Sequence, residues 1–320
     1  MTLEPLLRDW LLDTDPALRW QVERDLVHAP DEVWQATRAR VPREGFGARL
    51  LALQDPDGQW AGGAFFPAGF DFESQEPGQP WTATTWSLKS LREWGVEARV
   101  LGDTADRIRE HSRWEYDDLP YWDGEVDACI NGFTLASGAW LGVDMSGLAQ
   151  WFEEHQMAEG GWNCEWVEGS TRSSVQSTLN SLVGILEWER ITGSDRLRAA
   201  RQRGEEYLLE RRLLFRSSTG EPIAPWVDKL AYPFRSFYNT LSALDYFRAA
   251  SLHDGTAPDP RLGDAIENLR SQQGPDGRWI QARRHPGAVW FEVDAAAGEP
   301  SPWLTFFALR VLDWWDSAAR

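Results

Sequence analysis

One element recurs along this chain: a glutamine, five residues, then a tryptophan, with a glycine in the fifth or sixth place. The copies are Gln54-Asp55-Pro56-Asp57-Gly58-Gln59-Trp60, Gln156-Met157-Ala158-Glu159-Gly160-Gly161-Trp162 and Gln273-Gly274-Pro275-Asp276-Gly277-Arg278-Trp279. An apolar residue stands four before each glutamine (Leu50, Phe152, Leu269), so each glutamine falls near the end of an amphipathic helix. An acidic residue and glycine then break the helix, and the tryptophan lands where the next element must pack. A unit repeated this way constrains the architecture before any residue is read for chemistry.

A second pattern follows the first. Thr84, Thr134, Thr178, Thr240 and Thr305 each precede apolar or small residues at offsets of four (Leu88, Gly138, Leu182, Leu244, Leu309) and seven (Leu91, Leu141, Ile185, Phe247, Leu312). Those offsets line one helical face. More polar helices are expected between them, near 102–113, 146–157, 196–213 and 261–273. A sixth helix of the first kind is expected over Pro16 to His28, within an atypical terminal repeat covering 1–45. Sustained strand alternation is absent from the sequence. The reading is an all-α chain, one domain over 1–320. Its loops rich in Gly, Pro and aromatics (62–81, 114–126, 216–235, 280–302) precede the inner helices and gather at one end, where function usually sits.

The repeat on alternating helices resembles the QW motif of the terpenoid cyclase and protein prenyltransferase superfamily, over nearly the whole chain. Bacterial squalene-cyclase-like and prenyltransferase-repeat proteins are the nearest likeness. The resemblance implies an (α/α)6 toroid, with inner helices around a central cavity and outer helices outside them. In the motif itself the glutamine is expected to bond backbone groups at a helix end and stack on the indole, as a structural staple. A shared fold does not fix function.

Three groups of residues are candidates for chemistry. Asp127-Ala128-Cys129 opens an inner helix and is similar to the Asp-x-Cys zinc ligands of prenyltransferase β subunits; Cys164, after the second QW tryptophan, is placed to join them. The family's third ligand is a His opening a later inner helix. Here those places read Val175-Gln176-Ser177-Thr178 and Phe237-Tyr238-Asn239-Thr240, and none of the five histidines stands there. The plain alternative is a helix-capping Asp127 and two buried cysteines. Second, an acid-rich approach (Glu115, Asp117, Asp118, Asp123, Glu125, Asp127) is interleaved with Trp114, Tyr116, Tyr121 and Trp122. Class II terpene cyclases protonate an alkene from an Asp-x-Asp-Asp motif, which is missing here; Asp127 and Asp123 are the acids expected to act if one does. Otherwise the run is a solvated surface.

Third, Trp81, Trp86, Phe133, Gln176, Phe237, Tyr238, Asn239, Trp303 and Phe306, at or near inner-helix starts, are expected to line an apolar substrate pocket, and Arg284, in Arg283-Arg284-His285, to meet an anionic group. The chain has 20 tryptophans, which supply flat, electron-rich faces. A net charge of −18 argues against nucleic acid and anionic membranes. Two cysteines make no disulfide framework, and neither a signal peptide nor a spanning stretch is visible, so the cytoplasm is the expected location.

The resulting expectation is a cyclase-like enzyme that isomerises or cyclises a hydrophobic, isoprenoid-type molecule by acid chemistry. A zinc-dependent prenyl transfer and a non-catalytic protein holding a hydrophobic ligand or peptide are the alternatives. A partner subunit is a candidate to close the cavity.

Overall fold

The computed structural model describes residues 3–73 and 78–318; Met1, Thr2 and part of the 62–81 loop lie outside them. Thirteen α-helices carry the described residues: α1 (Pro5–Leu12), α2 (Pro16–Asp25), α3 (Asp31–Arg38), α4 (Gly45–Leu51), α5 (Thr84–Glu93), α6 (Thr104–His111), α7 (Ala128–Trp140), α8 (Ser146–Glu154), α9 (Val175–Thr192), α10 (Arg198–Leu209), α11 (Thr240–Asp254), α12 (Gly263–Ser271) and α13 (Pro302–Ala318). Extended pairing among them is limited to isolated bridges such as Trp60 with Gly63. No described helix is long and apolar enough to cross a membrane.

The helices differ in how they are buried, and the sequence says why. Helix α7 reads ACINGFTLASGAW, apolar or small on every side, and is buried from Ala128 to Ala139. Helices α9, α11 and α13 are likewise buried over most of their circumference. Helix α8 buries only Leu148, Ala149 and Phe152, and α12 only Ala265, Ile266 and Leu269. Each of these one-sided helices ends in a Gln-to-Trp segment.

The three segments have the same geometry. Gly58, Gly160 and Gly277 sit at φ of +89°, +94° and +79°, a region that costs a side chain its comfort and glycine nothing. That turn lets Gln54, Gln156 and Gln273 donate from Nε2 to the carbonyls of Gly58, Gly160 and Gly277, at 3.0, 2.6 and 3.2 Å. The fully buried indoles of Trp60, Trp162 and Trp279 donate back to the carbonyls of Leu50, Phe152 and Leu269, at 2.9, 3.0 and 2.9 Å. Their backbone amides donate to the hydroxyls of Thr84, Thr178 and Thr305, at 3.1, 3.0 and 3.0 Å. Each segment therefore ties the end of a one-sided helix to the threonine of the following buried one. Thr305→Val removes one acceptor without changing shape and leaves a buried amide unmatched. It should lower stability by about 1–2 kcal/mol; a urea midpoint unmoved from the parent would show that the threonine is not a tie.

Contacts group the helices into two compact units. The first comprises the described residues of Met1–Phe46, Leu208–His285 and Glu292–Arg320. Here α13 packs on α11, α1 and α2. Arg310 of α13 forks onto both oxygens of Asp245 in α11, at 2.7 and 2.6 Å, and reaches Asp25 of α2 at 3.2 Å. Burial pushes both carboxyls up, but Arg310 with Arg248 at Asp245, and with Arg24 at Asp25, more than offsets it and holds each below its ordinary value.

The second unit comprises Gly47–Tyr207 and Pro286–Phe291. Helix α7 packs along α9 so closely that a β-carbon on Gly184 would fall 2.2 Å from the Gly132 carbonyl oxygen. Arg201 of α10 is fully buried and bonds Glu189 of α9 at 2.8 Å and its own Glu205 at 2.7 Å.

Candidate functional site

Apart from the buried ion pairs of Arg310 and Arg201, two places among the described residues hold carboxyls raised by burial. The first is the N-terminal tip of α7. Glu125 precedes it and is buried, braced by Asn131: the Glu125 amide donates to Asn131 Oδ1 at 2.8 Å, and Asn131 Nδ2 donates to the Glu125 carbonyl at 2.6 Å. One carboxylate oxygen of Glu125 accepts the amides of Val126 and Asp127 at 2.6 and 3.0 Å. Burial, and then the charge of Asp127, push the Glu125 carboxyl up to about 7 despite those amides.

Asp127 itself stands in the N-cap position of α7, yet its side chain caps no amide. The capping role expected of it is therefore not played. Burial raises its carboxyl above the ordinary value; the Cys164 thiol beside it pulls the other way, and Glu168 adds to the rise. Cys129 Sγ lies 3.3 Å from Cys164 Sγ. Ser177 Oγ donates to Cys164 at 3.3 Å, and Asn180 Nδ2 donates to Cys129 at 3.4 Å and to the Gln176 carbonyl at 3.1 Å.

Asp127, Cys129 and Cys164, which the resemblance offered as zinc ligands in the alternative reading, lie together, but their surroundings do not suit an ion. Among the described residues no three His, Cys, Asp or Glu side chains are placed to hold a metal ion. The sulfurs contact each other, and a hydroxyl and an amide occupy the places where further zinc ligands would have to come from. The zinc assignment is withdrawn on those grounds. Asp123 ends a 3-10 turn, Tyr121–Asp123, and is exposed.

The second place belongs to the other unit. A pocket of about 410 Å³ is walled by Trp10 of α1, Leu18 of α2, Phe46, Val293 and Trp303, with Asp15 and Asp294 among its lining. Asp15 is committed to scaffolding: its carboxylate accepts the amides of Ala17 and Phe46, both at 2.9 Å. Gly45 is required beside it, since a β-carbon there would lie 1.9 Å from Asp15 Oδ2.

Asp294 is different. Its Oδ2 accepts the Ser301 hydroxyl at 2.5 Å, and its Oδ1 is buried. Burial pushes this carboxyl up to about 6, against the Ser301 hydroxyl, the amides of Ala295 and Trp303, and the charge of Arg284. Asp294 is thus a carboxyl raised toward neutrality beside a pocket of mixed apolar and acidic lining.

The residues expected to meet substrate divide between the units. In the second unit Trp81 packs edge-on against Trp86 (4.7 Å between ring centroids), and Trp86 lies 5.5 Å from Phe133; all three are buried. In the first, Trp303 lines the Asp294 pocket and donates from Nε1 to the Val293 carbonyl at 3.2 Å. Phe306 is buried under the Arg310 guanidinium, and Tyr238 donates its hydroxyl to the Leu213 carbonyl at 2.7 Å. Asn239 forms a capping box with Ser242 at the start of α11, and Phe237 stacks on His285 at 4.3 Å. Arg284 was expected to bind an anion. It instead donates to the carbonyls of Asp294 and Ala295, at 2.9 and 3.2 Å, and pairs with Glu292 at 3.0 Å, so it holds the loop that carries Asp294.

Sequence reasoning missed Asp294 and did not single out Glu125. Asp294 did leave a trace, as a lone acid in Val293-Asp294-Ala295-Ala296-Ala297.

The acidic run supplied one further surprise. Glu115, although exposed, accepts the amides of Ala64, Phe65 and Phe66, at 3.1, 3.0 and 3.0 Å, and so shapes a phenylalanine-rich loop.

Comparison with known proteins adds little to this geometry. No family model matches the chain. No curated protein matches it either. Among solved structures the chain is similar to a crystal structure of a protein from Actinoplanes, at 16% identity and a TM-score of 0.44, over 96% of this chain and 91% of that one.

Proposed function

We propose that the chain is an (α/α)6 toroid of the terpenoid cyclase and prenyltransferase type that binds an apolar, isoprenoid-like molecule and performs acid chemistry on it. The threefold Gln–Gly–Trp–Thr tie supports the repeat architecture, because it links alternate helices in the same manner at each copy. One observation carries the chemical reading: the Asp294 carboxyl, pushed up to about 6, belongs to a residue lining a 410 Å³ pocket together with Trp10, Phe46 and Trp303. Pockets of this size and lining admit small apolar ligands. In this reading Asp294 is the proton donor, in place of Asp123 and Asp127; the aromatic walls stabilise positive charge that develops on the substrate.

The test uses neutral polyenes, farnesol and squalene, without added metal. Binding should quench tryptophan emission, and Trp10→Phe should remove a measurable part of that quenching. Products separated by gas chromatography should appear with the parent and be absent with Asp294→Asn. Binding with no turnover by the parent would reduce the protein to a carrier. Absence of quenching by either polyene would overturn the apolar-ligand reading.

A further inference from the structure

The two sulfurs at the tip of α7 have no part in the proposed chemistry and do not hold a metal, yet they are in contact. Cys129 occupies the first turn of α7 and is buried; Cys164 opens the 3-10 segment Cys164–Glu168 and is half-buried. Their Sγ atoms are 3.3 Å apart, and a disulfide requires them to close by only about 1.3 Å. Three donors face these sulfurs. The Ser177 hydroxyl and the Cys129 amide point at Cys164, at 3.3 and 3.5 Å, and the Asn180 amide points at Cys129, at 3.4 Å. Donors of this kind stabilise negative charge on sulfur during thiol–disulfide exchange. Cysteines that merely fill a core need neither a second sulfur in contact nor polar partners.

We propose that Cys129 and Cys164 form a reversible dithiol–disulfide couple that fastens the Cys164–Glu168 segment to the first turn of α7. The oxidant is a small-molecule disulfide. Cys164, the more accessible sulfur, gives up its proton and attacks one sulfur of that disulfide; a bond to Cys164 forms and one small thiol leaves with a proton. Cys129 then loses its proton and attacks Cys164, forming the Cys129–Cys164 bond and releasing the second small thiol. Two protein S–H groups and one small disulfide become one protein disulfide and two small thiols. Oxidation also removes the Cys164 thiol from Asp127, so the redox state changes the surroundings of that carboxyl.

The experiment equilibrates the full chain with glutathione disulfide, quenches with an alkylating reagent and reads intact mass and peptide maps. The expected result is joint loss of both alkylatable thiols, a mass decrease equal to two hydrogen atoms, a linked Cys129–Cys164 peptide, and reversal by dithiothreitol. The thermal midpoint should rise by about 5 °C, since the bond closes a long loop. Cys129→Ser should strand Cys164 as a stable glutathione adduct, whereas Cys164→Ser should leave Cys129 slow to react. Two thiols still alkylatable after excess glutathione disulfide, or a parent protein that stops at the glutathione adduct, would overturn the proposal.

Discussion

Gly184→Val is expected to cost at least about 3 kcal/mol and to leave little folded protein at 37 °C. The argument is steric and does not depend on propensity. A β-carbon on Gly184 would stand 2.2 Å from the Gly132 carbonyl oxygen and 2.6 Å from its Cα. From the other side, a β-carbon on Gly132 would stand 2.5 Å from the Asn180 carbonyl oxygen. Both obstacles are backbone, so no rotamer change relieves them, and α7 and α9 must separate by about 1 Å or more. Separation opens gaps along a helix that is buried from Ala128 to Ala139. Gly147 provides the contrast. It lies in α8, is exposed, and has nothing within 4 Å of where a β-carbon would go. Gly147→Ala should raise stability by about 0.5–1 kcal/mol, the gain in helix propensity and unfolded-state entropy. Urea unfolding of the pair decides the matter: equal midpoints for Gly184→Val and the parent would show that the two helices do not meet where described.

The repeat was the most legible part of the molecule because its physics is local. Gln54 and Trp60 lie close in sequence, and a glycine between them marks the positive φ that brings them together. The partner indole bond runs to Leu50, a residue the apolar pattern had already flagged, although through its carbonyl and not its side chain. The Asp127-x-Cys129 spacing also led to a real cluster, but spacing alone does not distinguish two sulfurs in contact from two sulfurs around an ion. Arg201 shows the opposite limit. It sits in a stretch that reads as a polar, one-sided helix, and is fully buried because Glu189 on another helix receives it. Nothing local announces that partner. Arg284 misled for a related reason, since its partners are the backbone carbonyls of Asp294 and Ala295, which no side-chain pattern displays. Asp294 was missed because the acidic run near 115–127 drew the search toward many carboxylates together. A carboxyl becomes reactive through burial, and a single acid between valine and alanines is the better sign of it.

Asp294→Asn is expected to cut the proposed acid chemistry sharply while flattening the dependence of stability on pH. The carboxyl is raised from an unfolded value of 3.8 to about 6, so its contribution has a definite sign. The folded state holds the proton more tightly than the unfolded chain does. Its stabilising contribution is complete below about pH 4 and is lost as pH rises through about 6. By pH 8 the folded protein carries a buried charge that costs on the order of 2–3 kcal/mol relative to pH 4. Glu125 and Asp127 titrate in the same direction, their carboxyls being raised as well, so the parent loses stability from several sites over this range. Asp25 and Asp245 act oppositely: held below the ordinary value, they lose their contribution only as pH falls beneath the carboxylate range. The difference between parent and variant isolates Asp294. An asparagine there keeps an acceptor for Ser301 and carries no charge at any pH, so the variant should gain on the parent steadily from pH 4 to pH 8 in urea midpoint. Loss of the proposed general acid should lower any turnover of the test polyenes by about 10²–10⁴-fold, with ligand-dependent quenching retained. The two readouts are independent. A stability difference that stays constant with pH would refute the raised carboxyl even if activity fell, and unchanged turnover beside a flattened profile would leave Asp294 buried and protonated but without a part in the reaction.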